Sequence, residues 1–143
     1  MSAVAGDVGV AAADWRAAVR AAAGLLVREG AAEAGYPDRC VATVEEQGPY
    51  IVLAPGLALA HARPEDGALS VGVAAATLAE PVAFGHPVND PVDVVLAFCT
   101  PDAAAHTATL AALARALQGG LADDLRAAGD PEAVGRALRE ALA

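Results

Sequence analysis

The run Val92–Cys99, VDVVLAFC, constrains the fold of this chain more than any other segment. All but Asp93 are apolar, and the run is rich in β-branched and large side chains. Such a segment suits a strand at the centre of a sheet, covered on both faces. Covering both faces takes a layer on each side of the sheet. Shorter extended segments can supply the neighbours. Tyr50–Leu53 (YIVL) reads as a buried strand and Leu57–His61 as a short extended piece. Leu69–Leu78 alternates Leu69, Val71 and Val73 as a strand does, and a short strand falls around Val82–Phe84.

Helical patterns stand before, between and after these strands. Asp14 is placed as an N-cap, and Trp15, Val19, Leu26 and Val27 with intervening alanines form one face until Gly30 ends it. A second helix is expected over Pro37–Glu46, with Cys40, Val41 and Val44 inward and Gly48-Pro49 as its break. Thr100-Pro101-Asp102 opens a long helix, read with Thr100 as cap, Pro101 at the first position and Leu110, Leu113 and Leu117 on the buried face. Leu121–Ala128 suits a short helix. Asp130-Pro131-Glu132 opens the last, with Val134, Leu138 and Leu142 inward. The whole is an α/β or α+β arrangement, a sheet flanked by helices on two sides. Residues 1–13 lack pattern and are expected to be disordered; residues 14–143 form a single domain.

Composition narrows the function. The chain has 143 residues and a net charge of −9, and its nine cationic side chains, all arginine, are scattered. A nucleic-acid binder would carry a basic face, so that class is discounted. Aromatics are only 3%, so the core is built from Leu, Val and Ala. Cys40 and Cys99 have no metal-type spacing and read as small buried hydrophobes. No signal peptide or transmembrane segment is expected, which points to the cytoplasm, with both thiols reduced.

Two of the three histidines stand at informative places. His61 ends an extended segment and enters the loop Ala62–Gly67, where α/β proteins place their sites. His106 lies in the first turns of the helix that follows the central strand, where a helix N-terminus favours anions. If their strands lie side by side, both imidazoles face one crevice. With Arg63 at its mouth, the group suits a phosphoryl: one ring the nucleophile, the other ring and the guanidinium holding oxygens. The competing reading makes His61 a hydrogen-bonded structural residue and His106 a polar helix rim. His86, in the turn-type segment GHPVND, is expected to be a solvated loop residue. No GxSxG, Walker or GxGxxG motif occurs, and neither the acids nor the histidines are spaced as metal ligands.

Two segments carry a family likeness. GPYIVLAPGLALAHARPEDG, Gly48–Gly67, resembles the active-site segment of enzyme IIA proteins of the bacterial phosphoenolpyruvate-dependent sugar phosphotransferase system. The nearest branch is the ascorbate type within the mannitol/fructose class. PVAFGHPVNDPVDVVLAFCTPDAAAHTATLAAL, Pro81–Leu113, resembles that family's second half. The resemblance runs from about Trp15 to the C-terminus. It implies a mixed β-sheet sandwiched between helices, of the phosphotransferase/anion transport protein type. It implies that His61 accepts a phosphoryl group from the phosphocarrier HPr and passes it to a cysteine of a IIB component. A IIC permease then takes part indirectly, without membrane insertion of this chain. His106 would help hold the phosphoryl group, and Arg63 would contact its oxygens or a partner. No cofactor is implied, and monomer and homodimer both remain open. Two departures stand out. Ala60 replaces the family's usual proline before the histidine, and Val44-Glu45-Glu46-Gln47 occupies the region of an arginine used by the mannitol branch. Shallow, transient docking calls for an apolar rim, which Leu57, Leu59, Pro64 and Phe84 could provide. A regulatory phosphoprotein without a transport role, or a non-catalytic binding module of the same fold, are the competing outcomes.

Overall fold

The computed structural model describes residues 3–143. The strands are β1 (Ala3–Val10), β2 (Val52–Ala54), β3 (Leu57–Ala60), β4 (Gly72–Val82) and β5 (Val92–Cys99). The helices are α1 (Trp15–Arg28), α2 (Tyr36–Gln47), α3 (Ala103–Gln118), α4 (Leu121–Ala127) and α5 (Pro131–Leu142). The sheet order is β1-β4-β5-β3-β2. It is mixed: β1 runs parallel to β4 and β3 parallel to β5, while β4–β5 and β2–β3 are antiparallel. The apolar run Val92–Cys99 is the central strand, with the bounds its composition predicts.

Alternation along the strands builds a core on each face. Ala58, Ala60, Ala74, Ala76, Val95 and Ala97 face the layer of α1 and α2, where Val19, Leu26, Val41 and Val44 are buried. Leu57, Leu59, Val73, Val94, Leu96 and Phe98 face α3, α4 and α5, meeting Leu113, Leu121, Leu125, Val134 and Leu138. Burying each leucine or valine stabilises the fold by roughly 1.5–3 kcal/mol. Cys40 and Cys99 are free thiols buried in the first of these cores. Asp14 and Asp130 cap α1 and α5 through their carboxylates, as their positions predict.

Several expectations are corrected. Within the segment expected to be disordered, Ala3–Val10 is instead an edge strand paired with Gly72–Leu78 of β4. Met1 and Ser2 lie outside the described residues. The strand carries little periodic signal because it is built from Gly, Ala and Val, and its place is set by partners distant in sequence. Gly6 lies against α5, and a Cβ there would overlap the Val134 side chain and come within 3.1 Å of the Pro131 carbonyl oxygen. Tyr50 and Leu53 are exposed, because the chain makes a 3-10 turn over Pro49–Ile51 and β2 is a three-residue edge strand. β4 begins at Gly72, leaving Leu69 exposed while its N–H bonds to the Ala31 carbonyl. It runs past Pro81 through a register shift between Thr77 and Val82, which accommodates a residue with no N–H to donate. Leu110 is exposed rather than inward, and α3 buries Leu113 and Ala116.

Candidate active site

His61 follows β3, and strand parity decides where it points. Leu57 and Leu59 face α3–α5, so His61 continues that face. The β3–β5 register ends at Ala60 beside Ala97, which sets His61 alongside Phe98. The two rings stack, with centroids 4.9 Å apart and planes 23° from parallel. β5 then leads through Thr100 and Pro101 to α3. The cap is Asp102, whose carboxylate accepts from the Ala105 N–H at 2.8 Å, and not Thr100 as the sequence pattern suggested. Thr100 is only 1% exposed, and its hydroxyl lies 3.4 Å from Nδ1 of His106. Starting the helix at Ala103 puts His106 one turn in. Its ring centroid is 5.4 Å from that of His61 and 5.3 Å from that of Phe98. The condition set by the sequence, that the two strands be neighbours, is met by the parallel β3–β5 pair, and Phe98 forms the floor between the imidazoles.

Burial holds His61 below the ordinary histidine range, and the neighbouring His106 pushes it further down. The Leu59 backbone favours the proton, but without hydrogen-bond geometry at Nδ1. That nitrogen is buried and has no hydrogen-bond partner among the described residues. His61 is therefore a neutral base at physiological pH with one ring nitrogen sealed in protein. A hollow of about 420 Å³ opens beside His106, lined also by Pro64, Glu65, Pro101 and Asp102. Among the described residues, no three His, Cys, Asp or Glu side chains are grouped to hold a metal ion.

Arg63 is placed differently from its partners in sequence. Its guanidinium bonds to Asp66 at 3.3 Å and lies 3.5 Å from Glu65. It lines a separate small hollow with Arg39 and Thr43 of α2. Arg39 pairs with the same Asp66, at 3.3 Å. Of the expected apolar rim, Pro64 lines the hollow beside His106. Leu57 and Leu59 are core residues, and Phe84 is buried against Trp15 on the other side of the sheet, with ring centroids 6.1 Å apart. An alternating strand turns its large residues into the core, so they cannot also form a rim.

The segment Phe84–Asp90 lies at the opposite end of the sheet from His61. The Asp90 carboxylate accepts the N–H groups of Phe84, Gly85 and His86 at 2.7–3.1 Å. Nδ1 of His86 accepts those of Val88 and Asn89, so His86 braces this turn and is not a merely solvated side chain. The Asn89 carbonyl receives the N–H of Gly56, just before β3. This segment thus holds the amino ends of β3 and β5 in place, while the histidines occupy their carboxyl ends. The sequence alone does not single out Phe98 or Thr100 as neighbours of the histidines. Parity along β5 could have marked Phe98, whereas Thr100 looked like a cap.

Residues 7–141 match the family described as "Phosphoenolpyruvate-dependent sugar phosphotransferase system, EIIA 2", and the chain belongs to it. Similar curated proteins include the ascorbate-specific PTS system EIIA components of Shigella flexneri and Escherichia coli. They are 44% and 41% identical over 92 residues, which cover 64% of this chain and 60% of theirs. The matched region thus spans about three-fifths of the length of those relatives. Among solved structures, the mannitol-specific cryptic phosphotransferase enzyme IIA CmtB of Escherichia coli matches with a TM-score of 0.76 and 29% identity, over 99% of this chain and 91% of that one. The crystal structure of IIA mannitol from Escherichia coli shares the fold, with a TM-score of 0.74 and 24% identity over 96% of both chains.

Proposed function

We propose that this chain is a cytoplasmic phosphohistidine carrier. It accepts a phosphoryl group on His61 from phospho-HPr and hands it to the cysteine of a IIB component that serves sugar uptake through a IIC permease. The observation that carries this reading is the pair of imidazoles set against Phe98 at the carboxyl ends of two parallel strands. Family membership gives the arrangement its context. The likeness to ascorbate-specific EIIA components supports an ascorbate-type sugar acid as the cargo.

The site suits both halves of the transfer. Nε2 of His61 attacks the phosphorus of phospho-HPr; a P–N bond forms there as the P–N bond to the HPr histidine breaks. Nδ1 keeps its proton throughout, so loading needs no external base. In the second half, the IIB thiolate attacks the same phosphorus, a P–S bond forms and His61 leaves as the neutral ring. Positioning and charge neutralisation supply most of the catalysis in such reactions. The Thr100 hydroxyl, donating to Nδ1 of His106, leaves the His106 proton on Nε2, where it donates to a phosphoryl oxygen. Arg63, tied to Asp66 outside the hollow, serves partner contact.

The direct test is intact-protein mass after incubation with phosphoenolpyruvate, enzyme I and HPr. One phosphoryl group should be gained, lost in acid, and passed to an ascorbate-type IIB in preference to a mannitol-type one. No gain with an active HPr would remove the carrier reading.

Three further results are expected. His106→Gln should still load but transfer to IIB about tenfold more slowly, a loss of about 1.4 kcal/mol of transition-state stabilisation, read by single-turnover kinetics. The same variant should raise the His61 pKa while leaving it below the ordinary value, because burial is the larger cause; ring NMR against pH measures this. Arg63→Ala should raise the KM for phospho-HPr with kcat unchanged, as expected for a residue that touches the partner and not the phosphoryl group. Parallel changes in both constants would return Arg63 to the phosphoryl site.

A further inference from the structure

Tyr36, in the first turn of α2, is 1% exposed, and its hydroxyl makes two hydrogen bonds. It donates to the Phe98 carbonyl oxygen at 2.8 Å and accepts the Ala62 N–H at 3.0 Å. Ala62 immediately follows His61, and Phe98 carries the ring on which His61 stacks. The β3–β5 ladder ends at Ala60 beside Ala97. Continued by one step in a parallel sheet, it would join the Ala62 N–H directly to the Phe98 carbonyl. The phenol oxygen stands between these two groups instead. It parts the strands at the point where the nucleophile leaves the sheet and satisfies both backbone groups as it does so. Burial raises the phenol pKa, which keeps it a neutral hydroxyl able to donate and accept at once.

We propose that Tyr36 is a positioning residue for His61: its hydroxyl, inserted between Ala62 and Phe98, sets the gap between the ends of β3 and β5 and so the seat of the imidazole on the Phe98 ring. Its consequence for transfer rests on the carrier reading of His61; its consequence for ring geometry does not. Without the hydroxyl, the two backbone groups either close on each other or stay unpaired, and either outcome moves His61. A displacement of about 1 Å costs on the order of a hundredfold in rate where near-attack geometry matters.

Tyr36→Phe tests this in two ways. In the full chain without any phosphoryl donor, the ¹⁵N ring resonances of His61 should shift and those of His86, at the far end of the sheet, should not. With phospho-HPr, well below the unfolding temperature, the loading rate should fall roughly 10- to 100-fold with little change in KM. Unchanged His61 resonances with unchanged loading, at any loss of thermal stability, would overturn the proposal and leave Tyr36 a structural staple. Shifted resonances in a chain whose wild-type form takes up no phosphoryl group would uphold the positioning while overturning the carrier reading. If Tyr36→Phe fails to fold, 3-fluorotyrosine incorporated into a Tyr50→Phe chain places the probe at Tyr36 alone, since the chain has two tyrosines. That substitution keeps the bridge but alters its donor and acceptor strength. The His61 resonances should again shift, and their constancy would count against the proposal.

Discussion

His61→Ala should gain no phosphoryl group from phosphoenolpyruvate, enzyme I and HPr, while the wild-type chain gains one. The loss should be complete and not graded, because the variant removes the atom to which phosphorus bonds. His106 stands with its ring centroid 5.4 Å away and does not substitute, since its Nδ1 faces the Thr100 hydroxyl and its ring belongs to α3. The fold should survive. The side chain follows the last residue of β3 and contributes chiefly its stacking on Phe98, an interaction of about 0.5–1.5 kcal/mol. Removing the imidazole also removes a buried nitrogen that no described residue satisfies. Intact mass reads the first expectation and thermal unfolding the second. A phosphoryl gain equal to wild type would move the site elsewhere. The complementary pH experiment follows from the direction of the His61 shift. A lowered folded-state pKa means that the unfolded chain binds the proton more readily. Stability from this group is therefore full above the unfolded value near 6.5 and declines as the pH falls from there toward the folded value. Loading should accordingly persist to pH values at which an ordinary histidine is already charged.

Gly6→Ala should destabilise the chain by about 1–3 kcal/mol, the usual cost of overpacking a filled core. The added methyl would fall on Val134 with the Pro131 carbonyl close behind, so β1 and α5 would have to separate. Gly9, on the same strand, has open space around its missing Cβ but a φ of +62°, so Gly9→Ala tests conformation without collision. Denaturant unfolding of the two variants distinguishes packing from backbone strain. A Gly6→Ala chain as stable as wild type would mean that β1 is loosely held.

These glycines also explain what the sequence conceals. β5, α1 and α5 are legible because each carries a strong local signal: an apolar run, a capped helical stripe, an Asp-Pro-Glu opening. β1 is not, because AVAGDVGV carries no such pattern. It becomes a strand through β4 on one side and α5 above it, both distant in sequence. The site divides in the same way. His61 and His106 are visible as polar residues at a strand end and a helix start, and the resemblance to the family motif implies roles for them. Phe98 reads as part of an apolar strand and Thr100 as a cap, while Tyr36 stands just before the helix expected from Pro37 and carries no signal, since a side chain's place beside His61 depends on which strand ends meet. Arg63 is visible in the motif, but its direction is not. A loop residue two positions after His61 can turn either way, and here Arg63 pairs with Asp66 and lines a different hollow from His106.

The parallel pairing of β3 with β5 has a consequence for biogenesis. The two histidines are separated by the whole of β4 and its loops, and the register that unites them is a long-range contact whose closure entropy must be met before the pair exists. A nascent, truncated or partly unfolded chain can contain both histidines and still present no pair. On the carrier reading proposed above, competence to be phosphorylated is thus a property of the completed sheet.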